Sequence, residues 1–308
     1  MHGWIILDKP LGLGSTQGVS AVKRALRDGG YGKFKVGHGG TLDPLATGVL
    51  PIAIGEATKL AGRMLDSDKI YDFTIRFGVQ TATLDLEGAE IATSDVRPTL
   101  AQLEAVLPRF TGPIDQVPPA YSALKVDGQR AYDLARAGED VVLASRSVTI
   151  HSLSSSPPKA VEGLGARAGS SGEELQEITL TAHVSKGTYI RSLARDIALA
   201  LGTVGHVTML RRVKAGPFTL VDSISLDKLA ELGHGRALED KLLPLRAGLD
   251  DIPALSLSPD QAGLLRQGRV LIGIAADDGL HFATSDDVPV ALVEVLDREV
   301  SVVRGFNL

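Results

Sequence analysis

The stretch "GHGGTLDPLATGVLPIAIGEATKL", residues 37–60, sets a glycine-rich turn against a long apolar run and places one carboxylate, Asp43, between them. Pro44 disfavours the helical region for Asp43 and pushes it to an extended conformation. Gly37, Gly39 and Gly40 allow another backbone or a flat ligand to come close. Two phosphate-binding readings fail on the same letters. A P-loop ends in Gly-Lys-Ser/Thr, which is absent here, and Thr41-Leu42-Asp43-Pro44 does not open the helix that a dinucleotide fingerprint needs. The spacing therefore predicts a carboxylate standing on a turn with room beside it. Such an aspartate closes an Asx-turn or serves as a reactive group, and the turn alone does not choose. His38, in the same turn, reads by itself as a surface histidine.

Upstream, "WIILDKP" is a short buried strand ended by Pro10. "STQGVSAVKRALRDGG" is a helix with Ser15 or Thr16 as N-cap and the glycine pair after Asp28 as its stop. Downstream, "YDFTIRFGV" alternates Tyr71, Phe73, Ile75 and Phe77 with Asp72, Thr74 and Arg76, the pattern of a half-buried strand. "TLAQLEAVLPRF" opens with Thr99 and Gln102 at capping-box spacing. Residues 152–174, rich in Ser, Gly, Pro and Ala, read as a mobile surface loop. "EITLTAHVSKG" is a further strand. "TYIRSLARDIALALG" is a helix closed by Gly202, with Ile190, Leu193, Ala194, Ile197, Ala198 and Leu201 on one stripe and Arg191 and Arg195 on a face off it. A break near 245–255 precedes a short helix, "SPDQAGLLRQG", and two strands, "VPVALVEVL" and "EVSVVRGF", joined by a turn at "DRE". Strands and helices do not alternate regularly, so the fold class is α+β, with domains at 1–248 and 249–308.

The chain has 308 residues and 44% hydrophobic content, enough for one large domain and one small one. There are no cysteines, which excludes disulfides and thiolate chemistry, and the 7 histidines show no metal-ligand spacing, so no metal site is expected. Neither a signal peptide nor an apolar run long enough for a membrane span is present, and a soluble cytoplasmic protein is expected. The net charge of −5 is uneven. It all falls after residue 245, while "KFK" at 33–35, "KVDGQR" at 125–130 and "RRVK" at 211–214 are local basic clusters that suit phosphates.

Six stretches, "LDKPLGLGST", the 37–60 stretch, "LDSDKIYDFTIRFG", "QVPPAYSALKVDGQRAYDLAR", "SKGTYIRSLARDIALALG" and "HVTMLRR", occur in an order that resembles the TruB family of bacterial tRNA pseudouridine synthases. The resemblance runs from residue 4 to about 214, and "LLRQGRVL" is similar to the PUA-like module that ends many members. It implies a mixed-sheet pseudouridine synthase domain followed by a small β-rich PUA-like domain. It implies isomerisation of uridine 55 in the T-stem-loop of tRNA, with no cofactor, no obligatory protein partner and a monomer. Residue by residue, Asp43 matches the nucleophilic aspartate, Tyr71 the tyrosine that stacks on the target base, and Arg191 the arginine that pairs with the aspartate. His38 matches the histidine that contacts displaced loop bases. Lys9 and Leu210 match pocket residues, and Tyr189, Arg211 and Arg212 fall in the substrate-binding set. The chain departs from the family pattern at Gly14, Gly39 and Ala82, where Thr or Ser, Thr and Asp are usual.

A uracil stacked in a folded loop must be flipped out before its ring can react. A carboxylate then assists covalently, at C6 of the ring or at C1′ of the ribose, or a glycal forms after loss of the 2′-proton. The residues leave these routes open. Rival readings are a synthase acting on another RNA, disfavoured by the acidic tail, and a non-catalytic RNA chaperone.

Overall fold

The computed structural model describes residues 1–122, 124–126, 128–139, 141, 143–155 and 173–308, without the side chains of Lys125 and Arg130. The chain divides into two compact units. Met1–Pro44, Gly48–Leu65 and Ala215–Leu308 form one, and Leu45–Thr47 with Asp66–Lys214 form the other.

In the first unit the strand Gly3–Lys9 is central. It pairs antiparallel with residues 48–54 of the strand Ala46–Ile54, parallel with Ser223–Ile224 and antiparallel with Leu243–Pro244. Val36–His38 pairs antiparallel with residues 52–54. Nearly every position of Gly3–Lys9 is buried, because both faces of the strand are covered. The helix Ser15–Asp28 buries Val19, Val22 and Leu26. A Cβ at Gly18 would meet Leu50 at 3.0 Å and Leu7 at 3.5 Å, so a glycine is what lets this helix lie close on the strands. Trp4 and Ile6, which alternate with Leu7, belong to a second cluster with Val49, Met64, Phe218 and Leu245.

The expected N-cap is corrected. Gly14 caps the helix, with its N–H donating to Gln17 Oε1 at 2.7 Å. The Ser15 hydroxyl is drawn away by a tertiary partner, Leu42.

The tail forms a five-stranded sheet in the order Ala254–Ser256, Gly279–Ser285, Val288–Leu296, Glu299–Gly305, Leu271–Ile272. Ser258 caps the helix Pro259–Arg266, accepting from the Gln261 N–H. Asp297 and Arg298 turn the last hairpin with φ of 49° and 65°, as a two-residue turn between twisted strands requires. Leu255, Ala262, Leu265, Val293 and Val300 give this β-rich part its own core. Phe282, Leu292 and Phe306 instead join the Trp4 cluster.

The second unit holds five strands in the order Gly205–Ala215, Lys69–Phe77, Glu177–Val184, Arg146–Ser155, Gly112–Gln116. The last three pairings are antiparallel. Phe73, Ile75 and Phe77 bury the predicted face of their strand against Leu193, Ala194 and Ile197 of the helix Ile190–Ala200. Truncating such a residue, Leu193→Ala for instance, costs about 2–5 kcal/mol. Thr99 caps Leu100–Val106 as its spacing with Gln102 predicts. Residues 152–155, expected in a mobile loop, instead complete the strand Arg146–Ser155. Residues 156–172 lie outside the described residues.

Candidate active site

The turn that carries Asp43 is fixed on both sides. On its N-terminal side the Ser15 hydroxyl accepts the Leu42 N–H at 2.8 Å and donates to the Leu42 carbonyl at 3.0 Å. On its C-terminal side the Pro44 carbonyl accepts from the Gly12 N–H at 2.8 Å and from Lys9 Nζ at 3.2 Å. Lys9 is fully buried, and its ammonium also donates to the carbonyls of Leu13, at 2.6 Å, and Pro10, at 3.1 Å. A buried ammonium keeps its charge only where such oxygens replace water. Asp43 itself is half-buried, so its carboxylate stands on an immobilised turn and stays within reach of solvent. Holding a reactive group in place in this way removes part of the entropy of reaction in advance.

Ahead of this turn, His38 ends the strand Val36–His38 and is half-buried, and the Gly39 N–H donates to the Pro51 carbonyl at 2.8 Å. The glycine at 39 has a local cause. A Cβ there would lie 2.7 Å from Met64 Cβ, so the threonine usual in the family has no room beside Met64. At Gly14 the missing side chain is compensated by Gln17, whose amide oxygen accepts the backbone N–H.

The second unit carries the other site residues. Tyr71 is half-buried on the strand Lys69–Phe77, opposite Ala182, and packs with Leu210 against the Phe73 cluster. Tyr189 is the N-cap of the helix Ile190–Ala200 and donates its N–H to Gln116 Oε1 at 2.7 Å. Arg191, in the first turn of that helix, is buried rather than on a solvated face. Its Nη1 donates to the Thr83 carbonyl at 2.9 Å, its Nη2 donates to the Tyr121 carbonyl at 3.1 Å, and Nη1 pairs with Asp85 Oδ2 at 3.3 Å. Asp85 is held in turn by the Thr83 hydroxyl and, at 3.0 Å, by the Glu87 N–H. The backbone around it is bent: Leu84 has φ of 63° and its carbonyl accepts the Val207 N–H at 3.0 Å. A leucine in the left-handed region persists only where its surroundings over-determine it.

Arg211 is half-buried, with Nη1 3.4 Å from the Thr47 hydroxyl, and Arg212 is almost fully buried. The basic cluster at 211–214 is therefore only partly a surface for phosphates. Arg212 also acts on Lys69. Burial first and then the Arg212 charge lower the Lys69 pKa to about 8, against the opposing pull of Asp66 and Asp68. Two groups of this unit escaped the sequence reading. Asp85 sits in "TATLDLEG", three positions after Ala82, where the family pattern has a carboxylate that this chain lacks. Lys69 precedes Tyr71 by two positions on one strand face, a period-2 signal that pointed to it.

The chain was compared with known proteins. A family model of the TruB pseudouridylate synthase N-terminal domain matches residues 29–190, and a model of the tRNA pseudouridylate synthase B C-terminal domain matches residues 191–250. The chain is 67% identical over 308 residues to tRNA pseudouridine synthase B of Novosphingobium aromaticivorans, covering 100% of this chain and 98% of that one. It is 57% identical over 310 residues to tRNA pseudouridine synthase B of Zymomonas mobilis, covering 100% and 96%. A solved Cbf5-Nop10-Gar1 complex aligns with a TM-score of 0.72 at 25% identity, over 99% of this chain and 85% of that chain. An archaeal box H/ACA Nop10-Cbf5 complex shares the fold with a TM-score of 0.70 at 23% identity. These matches run across both units and agree with the mixed α+β architecture and the motifs around Asp43, Tyr71 and Arg191: the chain belongs to the TruB family of pseudouridylate synthases.

Proposed function

We propose that this chain isomerises uridine 55 in the T-stem-loop of tRNA to pseudouridine. The roles implied by the family resemblance are proposed with it. Asp43 is the nucleophile, Tyr71 the platform on which the flipped uracil stacks, and Arg191 the cation that serves the Asp43 carboxylate. His38 receives displaced loop bases, Lys9, Tyr189 and Leu210 shape the pocket, and Arg211 faces the RNA backbone while the buried Arg212 supports the substrate-binding set from beneath. The observation that carries the reading is the Asp43 turn, tied down through Leu42 and Pro44 while the carboxylate between them stays partly accessible.

Flipping the base costs a few kcal/mol, offset by stacking on an aromatic face and by phosphate contacts. The glycosidic bond then leaves N1 and re-forms at C5 of the same ring. Substrate and product are isomers, so the reaction consumes no co-reactant. Residues 1–248 are proposed as the catalytic domain, and 249–308 as a PUA-like module that positions tRNA through exposed groups such as Arg266 and Arg269. No helix among the described residues is long and apolar enough to cross a membrane. A cytoplasmic monomer acting on tRNA completes the proposal.

The test is to incubate the protein with unmodified tRNA transcript and map pseudouridine by chemical sequencing. Wild type is expected to modify position 55 alone. Asp43→Asn is expected to give no product while binding tRNA within about tenfold, or about 1.4 kcal/mol, of wild type. Steady turnover by that variant would refute Asp43 as nucleophile. Product at another position would refute the substrate assignment.

A further inference from the structure

Asp68, His151 and His183 lie in the second unit, apart from the residues given roles above. We propose that they form a binding site for one zinc-type divalent ion. Nothing in their spacing along the chain suggests this; the sheet brings them together. His183 pairs with Ile70, and Asp68 is two positions before Ile70, on the same face. His151 reaches that face through a bulge. The ladder passes from Ile150↔Val184 to Ser152↔His183, which leaves His151 as the extra residue beside His183. A bulge of this kind re-aims one side chain.

The donor atoms converge. His151 Nε2 is 3.1 Å from Asp68 Oδ2, and His183 Nε2 is 3.8 Å from the same oxygen. The imidazole rings are 4.7 Å apart at 47° to each other. All three side chains can offer one ligand atom each within 4.8 Å of the others, a grouping found once among the described residues. A tetrahedral zinc with bonds of about 2.0–2.1 Å needs its donors about 3.3–3.4 Å apart, so small side-chain rotations close the site. A single aspartate–histidine hydrogen bond accounts for the first distance. It does not account for a second ring turned toward the same oxygen beyond hydrogen-bonding range. The side chains are 37%, 38% and 48% exposed for His151, His183 and Asp68, which leaves an entry path and room for water at the fourth position. Two imidazoles and one carboxylate suit zinc better than magnesium or calcium, which prefer oxygen throughout. Lys214 is the cation whose charge reaches His183, and its repulsion opposes the ion. An ion here would join three strands just ahead of Tyr71 and would act through the sheet rather than on the substrate.

The experiment uses the full chain without an affinity tag, stripped with a chelator and titrated with Zn²⁺ against a fluorescent zinc indicator. The expected result is one ion per chain with micromolar affinity. His151→Gln and His183→Gln should each weaken it at least tenfold. Added Zn²⁺ should raise the Tm of wild type and leave that of the double variant unchanged. If a variant fails to fold by circular dichroism, anomalous diffraction at the zinc edge on wild-type crystals decides in its place, with a peak between the three side chains expected. The proposal is overturned by the absence of saturable one-to-one binding in wild type. It is also overturned by affinity unchanged in both folded histidine variants, or by an anomalous peak elsewhere.

Discussion

Replacing Asp85 by asparagine removes the negative charge from a pair whose side chains are only 8% and 10% exposed, for Arg191 and Asp85, and keeps the shape. At 3.3 Å and an effective dielectric of about 20, the lost attraction is about 5 kcal/mol before solvation is counted. Removing one partner of a buried pair costs about 3–5 kcal/mol, because the remaining charge stays buried. Asparagine can keep an oxygen toward the Thr83 hydroxyl and the Glu87 N–H, but it then turns an amide N–H₂ toward Arg191 Nη1. The carbonyls of Thr83 and Tyr121 still hold the guanidinium, which sets the loss near the lower end, about 3 kcal/mol. For a unit of this size that is a fall in Tm of roughly 6–12 °C. Urea unfolding measures the stability, and tritium release from C5 of labelled uridine measures the rate. The rate is expected to fall in kcat with KM for tRNA little changed, since Asp85 is buried and acts through Arg191. The double variant Asp85→Leu/Arg191→Met separates the effects, because apolar replacement of a whole buried pair is often neutral or better for stability. It should regain stability and remain inactive. An Asp85→Asn protein within about 1 kcal/mol of wild type and with unchanged kcat would refute this account of the pair.

Three further outcomes are expected. Tyr71→Phe keeps the stacking face and should bind tRNA normally but turn over slowly, because a positioned hydroxyl typically contributes through proton transfer; single-turnover kinetics equal to wild type would reduce Tyr71 to a platform. The Lys69 pKa is lowered to about 8 in the fold and is 10.5 in the unfolded chain, so between those values the unfolded state holds more protons and stability from this group rises with pH. Melting curves should therefore show wild type gaining on Lys69→Met as pH goes from below 8 toward 10, and parallel curves would contradict the shift. Gly39→Ala places a methyl 2.7 Å from Met64 Cβ and should destabilise by about 1–3 kcal/mol in urea, whereas a neutral effect would mean that Met64 moves aside freely.

Local rules read well wherever local partners decide. Thr99 and Gln102 form the cap that their spacing predicts, and the 71–77 alternation is the buried face of a strand. The misreadings have tertiary causes. Ser15 was a sound N-cap by composition, but its hydroxyl is taken by Leu42, which lies far along the chain. Arg191 sits off the apolar stripe of its helix, and Asp85 and two carbonyls give it a buried site that the stripe alone does not show. Lys9, matched to a pocket residue by the resemblance alone, is buried with its ammonium on three carbonyls. The strands Ala254–Ser256, Leu271–Ile272 and Gly279–Ser285 were passed over because they are short or interrupted by polar residues, and the sheet supplies what their own sequences lack. The Asp68–His151–His183 cluster depends on a bulge and a three-strand register, which no linear spacing reveals.

The cluster around Trp4 draws Phe282, Leu292 and Phe306 onto the first strand. Two direct ties reinforce it, from Lys59 Nζ to the Gly305 carbonyl at 2.8 Å and from the Asn307 N–H to Glu56 at 2.8 Å. On a ribosome, residues 3–9 leave the exit tunnel long before residues 305–307 exist. The first strand and the turn of Asp43 must then wait, partly uncovered, while the other unit can already close on contacts made within residues 45–214. Contacts of such long range slow folding and leave apolar surface open to aggregation in the interval. A chain stopped before residue 305 would lack Phe306 and both ties, leaving the Trp4 cluster partly uncovered. Synthesis as far as residue 307 thus precedes full assembly of the unit that holds the Asp43 turn.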